Sequence, residues 1–118
     1  MRSRNSGGMG TCKQMTKDVT AQEFEEQVLR ESRTVLVDFY TENCGPCKML
    51  TPTLNELAAE NAERLKVAKI DVSTNAELAA RFRVSSVPTL LLFKNGQVVG
   101  QMMGLKSKKD LLAWVTGV

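Results

Sequence analysis

Histidine is absent from all 118 residues, and cysteine occurs only three times, at positions 12, 44 and 47. Without imidazole there are no histidine general bases or histidine metal ligands, so proton transfer falls to carboxylates, lysines or thiols. So few cysteines argue against a secreted disulfide framework, which uses more of them in even number. No uninterrupted apolar stretch approaches the ~20 residues of a membrane-spanning helix, so no membrane association is expected. There is no internal repeat and no heptad seam, and a monomer is expected. A G-x-G-x-x-G fingerprint and a phosphate-loop motif are also missing, so the chain offers no nucleotide site.

The net charge of +3 is unevenly placed. Arg2, Arg4, Lys13 and Lys17 supply +4 from residues 1–17, a segment with no acid, which leaves −1 for the remainder. Interleaved charges on the folded body do not make the basic face that nucleic-acid binding requires. Lys106, Lys108 and Lys109 read as a solvated helix start. The length, with 42% apolar and 25% charged residues, fits one soluble domain with a single core. Residues 1–15 are polar, contain Gly and Ser, and show no hydrophobic periodicity. They read as a flexible N-terminal extension, a native tail or a cloning remnant, ahead of a domain spanning residues 16–118. The extension lacks the apolar centre of a secretory signal and the amphipathic material of a transit peptide. Cys12, on this extension, reads as a passive thiol.

Thr20 followed by Glu23 is a capping-box spacing, and with Phe24 and Val28 it predicts a helix over residues 21–31. Residues 34–40 are a nearly continuous β-rich apolar run, the composition of a central strand covered on both faces. Leu50, Leu54, Leu57 and Ala58 mark one helical stripe, predicting a helix over 45–61 that Pro52 bends. A strand follows over 65–71, and Thr74 with Glu77 again has capping-box spacing ahead of Leu78 and Phe82. Residues 89–93 and 97–102 flank Lys94-Asn95-Gly96, a strong hairpin signal. A last helix begins near Ser107 and holds Trp114, read as structural. With a short N-terminal strand, this order implies an α/β fold: a mixed sheet layered between helices.

The chemistry lies in Cys44-Gly45-Pro46-Cys47, between the apolar strand and the long helix. Unpaired N–H groups and the helix dipole favour negative charge at a helix start, so a thiolate at Cys44 is stabilised there. The thiolate is the species that attacks a disulfide. Cys47, one turn inward, is placed to resolve the resulting mixed disulfide. Gly45 permits a tight turn, and Pro46 suits the first helical turn, where its missing N–H removes no intrahelical bond. The same spacing also serves zinc and iron–sulfur sites, but those need further ligands. With no His and only Cys12 left, carboxylates or a second subunit would have to supply them, so no metal site is expected. Asp38 interrupts the central apolar run and should be buried, where desolvation favours its neutral form and makes it a candidate proton carrier for Cys47. A structural role, capping a chain end or pairing with Lys69, is the alternative.

Val37-Asp38-Phe39-Tyr40-Thr41-Glu42-Asn43-Cys44-Gly45-Pro46-Cys47-Lys48, then Val87-Pro88-Thr89 and then Gly104, resemble the thioredoxin family from about Met15 to Val115. The resemblance implies a thioredoxin fold with about five strands flanked by about four helices. It further implies a protein-disulfide reductase with Cys44 as nucleophile, Cys47 as resolving thiol, and Asp38 with Lys69 near it as the proton-transfer pair. Pro88 would be the cis proline facing the disulfide, leaving the Val87 backbone open to an extended substrate. Gly45, Pro46, Val87, Pro88, Met103 and Gly104 would form the substrate groove, with one of Met102 and Met103 turned inward as core. No bound cofactor is implied. Re-reduction by an NADPH-dependent thioredoxin reductase, oxidised protein disulfides as substrates, and a cytoplasmic setting are. Two departures stand out: Asn43 and Tyr40 occupy positions where the family commonly has Trp, which changes the surface beside Cys44. A scaffold that uses the same surface without turnover, and an oxidase or isomerase of the same fold, are the rival readings. Gly-Pro between the cysteines resembles the reducing members.

Overall fold

Thr34–Tyr40 alternates Val35, Val37 and Phe39 on one side with Leu36 and Asp38 on the other, and all five are buried. A strand covered on both faces must be central, and it is. A computed structural model describes residues 16–117, so the expected 1–15 extension, Cys12 and the last residue lie outside the described residues. The strands are β1 (Lys17–Asp18), β2 (Thr34–Tyr40), β3 (Leu65–Asp71), β4 (Thr89–Lys94) and β5 (Gln97–Met103), and the helices α1 (Gly45–Glu60), α2 (Ala76–Arg81) and α3 (Lys108–Thr116). The sheet order is β1-β3-β2-β4-β5. β1, β3 and β2 run parallel, and β4 and β5 are antiparallel to their neighbours, which gives the expected mixed sheet.

Each face of the sheet carries its own core. Val35, Val37, Phe39, Ala68, Ile70, Leu91 and Phe93 meet Phe24, Val28 and Leu78 on one side. There Phe82 packs edge-on against Phe93, with ring centroids 5.4 Å apart. On the other face Leu36, Val67, Leu90 and Leu92 meet Leu50, Leu54 and Leu57 of α1 and Leu111 of α3. The stripe at i, i+4 and i+7 along α1 is therefore the buried one, and the helix runs through Pro52 without ending. Asp38, in step with Leu36, lies on this α1 face.

Two expectations about helix starts need correction. The segment expected as a helix over 21–31 is a turn followed by one π-type turn, Glu25–Leu29. Only half of the capping box forms: the Thr20 N–H donates to Glu23 Oε1 at 3.1 Å. The Ala21 N–H is instead taken by Asn75 Oδ1, 2.9 Å away on another loop, and the Arg30 N–H reaches back five residues to the Glu25 carbonyl. Phe24 and Val28 are still buried as their spacing required. In α2 it is Asn75, not Thr74, that stands at the N-cap, and no side chain closes it. The Asn75 amide is engaged by the Asp71 carbonyl and the Ala21 N–H.

The hairpin forms as read. Asn95 and Gly96 both take positive φ, 53° and 80°, as a two-residue turn between twisted strands requires. α3 starts at Ser107, whose hydroxyl accepts the Asp110 N–H at 3.1 Å. Trp114 lies against Gly100 of β5, consistent with a structural role. None of the helices among the described residues is long and apolar enough to cross a membrane.

Candidate active site

β2 ends at Tyr40, and α1 begins five residues later at Gly45, so the cysteine pair lies where a strand end gives way to a helix start. Cys44 is the N-cap of α1 in extended conformation, and the Cys47 N–H donates to its Sγ at 3.1 Å. One orphan amide of the helix start is thus aimed at the sulfur that would carry the charge. Cys44 and Cys47 are joined as a disulfide, with Cα atoms 5.2 Å apart. Cys44 is half-buried, whereas Cys47 is 2% exposed, so an incoming group meets Cys44 first. Pro46 sits in the first turn, where its missing N–H is harmless. Gly45 departs from its expected reason: its φ is not positive, and a Cβ there would meet nothing within 4 Å. What glycine provides at this position is a small surface beside the sulfurs.

Sheet register brings the other predicted residues to the same edge. Phe39 pairs with Thr89, and Thr89 pairs with Met103, so the end of β2, the start of β4 and the end of β5 lie side by side. The Val87–Pro88 peptide is cis, as expected, and Pro88 is buried. The Pro88 carbonyl accepts the Gly104 N–H at 3.0 Å, and Gly104 has a φ of 88°. Val87 is half-buried, and no hydrogen bond among the described residues uses its N–H or carbonyl. Met103 is 55% exposed, with the Ser86 hydroxyl 3.6 Å from its sulfur, while Met102 packs against the α1 core.

Asp38 is fully buried, and neither of its carboxylate oxygens has a hydrogen-bond partner. Desolvation pushes its pKa up to about 7, opposed only in part by the charge of Lys69. Lys69 stands beside Asp38 in the sheet register, yet its ammonium goes elsewhere. It donates to Thr51 Oγ1 at 3.0 Å and lies 4.6 Å from the centre of the Tyr40 ring. Tyr40 in turn hydrogen-bonds Asp18 at 3.2 Å and is pushed up to about 12, by burial first and then by that carboxylate. Tyr40, Asn43, Cys47, Thr51 and Lys69 line an open cleft of about 450 Å³. Sequence reading missed Thr51. Its signal was its position, i+4 from Cys47 and so on the same helix face.

The arrangement is a dithiol–disulfide couple with a half-buried and a fully shielded cysteine, on the α1 side of a carboxyl whose pKa is pushed up to about 7. Among the described residues no group of three or more His, Cys, Asp or Glu is placed to hold a metal ion. The thioredoxin family model matches residues 10–117. The chain belongs to the thioredoxin family. It is 49% identical over 106 residues to a thioredoxin of Mycobacterium tuberculosis, covering 90% of this chain and 91% of that one. A thioredoxin of Rickettsia bellii is 40% identical over 101 residues, covering 86% of this chain and 96% of the relative. A bifunctional thioredoxin reductase/thioredoxin of Mycobacterium leprae is 48% identical over 98 residues, which are 83% of this chain and 21% of that larger protein. Thioredoxins are thiol–disulfide oxidoreductases, and in this family member Cys44 and Cys47 are the redox-active pair.

Proposed function

We propose that the protein reduces disulfides of other proteins, with a fixed division of labour between its two sulfurs. The Cys44 thiolate attacks a target disulfide, forming a mixed disulfide and releasing one target sulfur as thiolate. Cys47 then passes its proton to the Asp38 carboxylate and attacks Cys44 Sγ. The second target sulfur leaves, and the Cys44–Cys47 disulfide closes, so two electrons have moved to the target. The observation that carries this reading is the asymmetry of the pair: Cys44 caps the helix within reach of solvent, and Cys47 is buried one turn below. The full burial of Asp38 on the α1 face, with no partner for its oxygens, supports its part as proton carrier. Lys69, on the neighbouring strand, tempers the basicity of that carboxyl.

The docking groove is assigned to Gly45, Pro46, Val87, Pro88, Met103 and Gly104. The unengaged Val87 backbone can pair with an extended substrate strand, and the exposed thioether of Met103 can adapt to varied side chains. The oxidised protein is returned to the dithiol by a thioredoxin reductase drawing on NADPH, a partnership supported by the Mycobacterium leprae relative whose name joins both activities. The protein works as a cytoplasmic monomer, without a bound cofactor of its own.

Cys47→Ser tests the division of labour. This variant should accumulate covalent complexes with oxidised targets through Cys44, visible on non-reducing gels and released by dithiothreitol. Complexes through residue 44 that fail to form while substrate is still consumed would sink the assignment.

A further inference from the structure

Lys69 and Asp38 are paired in the parallel register of β3 and β2, and their side chains leave the same face of adjacent strands. Strands are about 4.8 Å apart, so an extended lysine could reach a neighbouring carboxylate, and in a desolvated setting the attraction is strong. Yet both Asp38 oxygens are without a partner. The Lys69 ammonium is engaged by Thr51 instead. The Thr51 hydroxyl has one proton and two lone pairs, and both capacities are used: it donates to the Cys47 carbonyl at 3.1 Å and accepts from Lys69 Nζ at 3.0 Å. The Tyr40 ring, 4.6 Å from the same ammonium, holds it from another side.

We propose that Thr51 is a positioning residue: its hydroxyl tethers the Lys69 ammonium to the first turns of α1, away from Asp38, and so sets how readily that carboxyl takes and gives a proton. The elements around Asp38 leave few other candidates for that control. β4 places Leu90 opposite it, the buried leucines of α1 cover that face of the sheet, and Lys69 is the charged side chain that acts on it. Because Thr51 also holds the Cys47 carbonyl, one hydroxyl links the turn that carries the resolving sulfur to the cation that tunes its proton carrier. The inference rests on the reading of Asp38 as that carrier, but it has its own readout.

The experiment is a ¹³C-carboxyl titration of Asp38 in the oxidised protein, followed in Thr51→Val and Thr51→Ser. Valine keeps the shape and removes the hydroxyl, freeing Lys69 to turn to the carboxylate. The Asp38 midpoint should then fall by about one pH unit or more, the lower end of what an opposite charge within 4–6 Å produces. Serine, which restores the hydroxyl, should keep the native midpoint, and Thr51→Ala should repeat the valine result if valine does not fold. In a Lys69→Met background Thr51→Val should move nothing. A native midpoint in the valine or alanine variant, an equal shift with serine, or a shift that persists without Lys69 would each overturn the assignment. The acid limb of the disulfide-exchange rate profile should follow the titration. A midpoint that moves while the rate profile stays put would uphold Thr51 and remove Asp38 from the proposed mechanism.

Discussion

Asp38 is a fully buried acid, and its ionised form is costly to the fold. Among the described residues, the only buried side-chain oxygens without a hydrogen-bond partner are its two. Its folded pKa is raised from 3.8 to about 7, so over that window the folded protein keeps a proton that the unfolded chain has lost. Stability is therefore fully present below the lower value, falls as pH rises through the window, and levels off above about 7. Each pH unit of displacement is worth about 1.4 kcal/mol, so the total is on the order of 4 kcal/mol. Urea unfolding of the oxidised protein should thus show greater stability at pH 5 than at pH 8, and Asp38→Asn should flatten the difference and gain stability at pH 8. Parallel curves for the two proteins would mean that the carboxyl is not held as described. The burial of this residue was legible in the sequence, because an acid inside a doubly covered apolar run has nowhere to go. Its want of a partner was not legible, since that depends on where Thr51, thirteen residues on, directs Lys69.

The long elements followed from periodicity, their ends to within a residue, and the short helical starts did not. α1 and the strands lie where apolar spacing put them, because burying Leu50, Leu54 and Leu57, or Val35 through Phe39, outweighs local alternatives. The short helical starts near Thr20 and Thr74 share a fate: Asn75, called by neither motif, bonds to the Ala21 N–H and the Asp71 carbonyl and ties the two loops together. A long-range hydrogen bond of this kind leaves no mark on local sequence. The same holds for the register shift of the β4–β5 ladder between Leu92 and Phe93, near which β5 approaches α3. At Gly100 of β5 an added Cβ would stand 2.8 Å from Trp114 Nε1 and 2.9 Å from its Cζ2. Gly100→Ala should therefore displace the indole and cost about 1–3 kcal/mol, read as a lower denaturant midpoint with a blunted or shifted tryptophan emission. An unchanged midpoint and spectrum would show that α3 can give way freely.

At the scale of the whole molecule, the sheet order β1-β3-β2-β4-β5 gathers one redox site from segments far apart in sequence: the cysteine turn after β2, the proline turn before β4 and the end of β5. The tetrad and the Val87-Pro88 pair made that convergence readable in advance through the family they resemble, whereas composition alone went no further than one soluble domain. Asn43 and Tyr40 lie on a cleft that also reaches Cys47, Thr51 and Lys69. The account stands on Cys44 and Cys47 exchanging two electrons reversibly as a reducing couple. Equilibration of the protein with glutathione redox buffers, with the dithiol fraction read by thiol alkylation, tests this most directly. The account predicts a single two-electron transition in the reducing range, at about −270 mV. A couple at about −120 mV, the range of a strong oxidant, or thiols that never interconvert with the disulfide would contradict it.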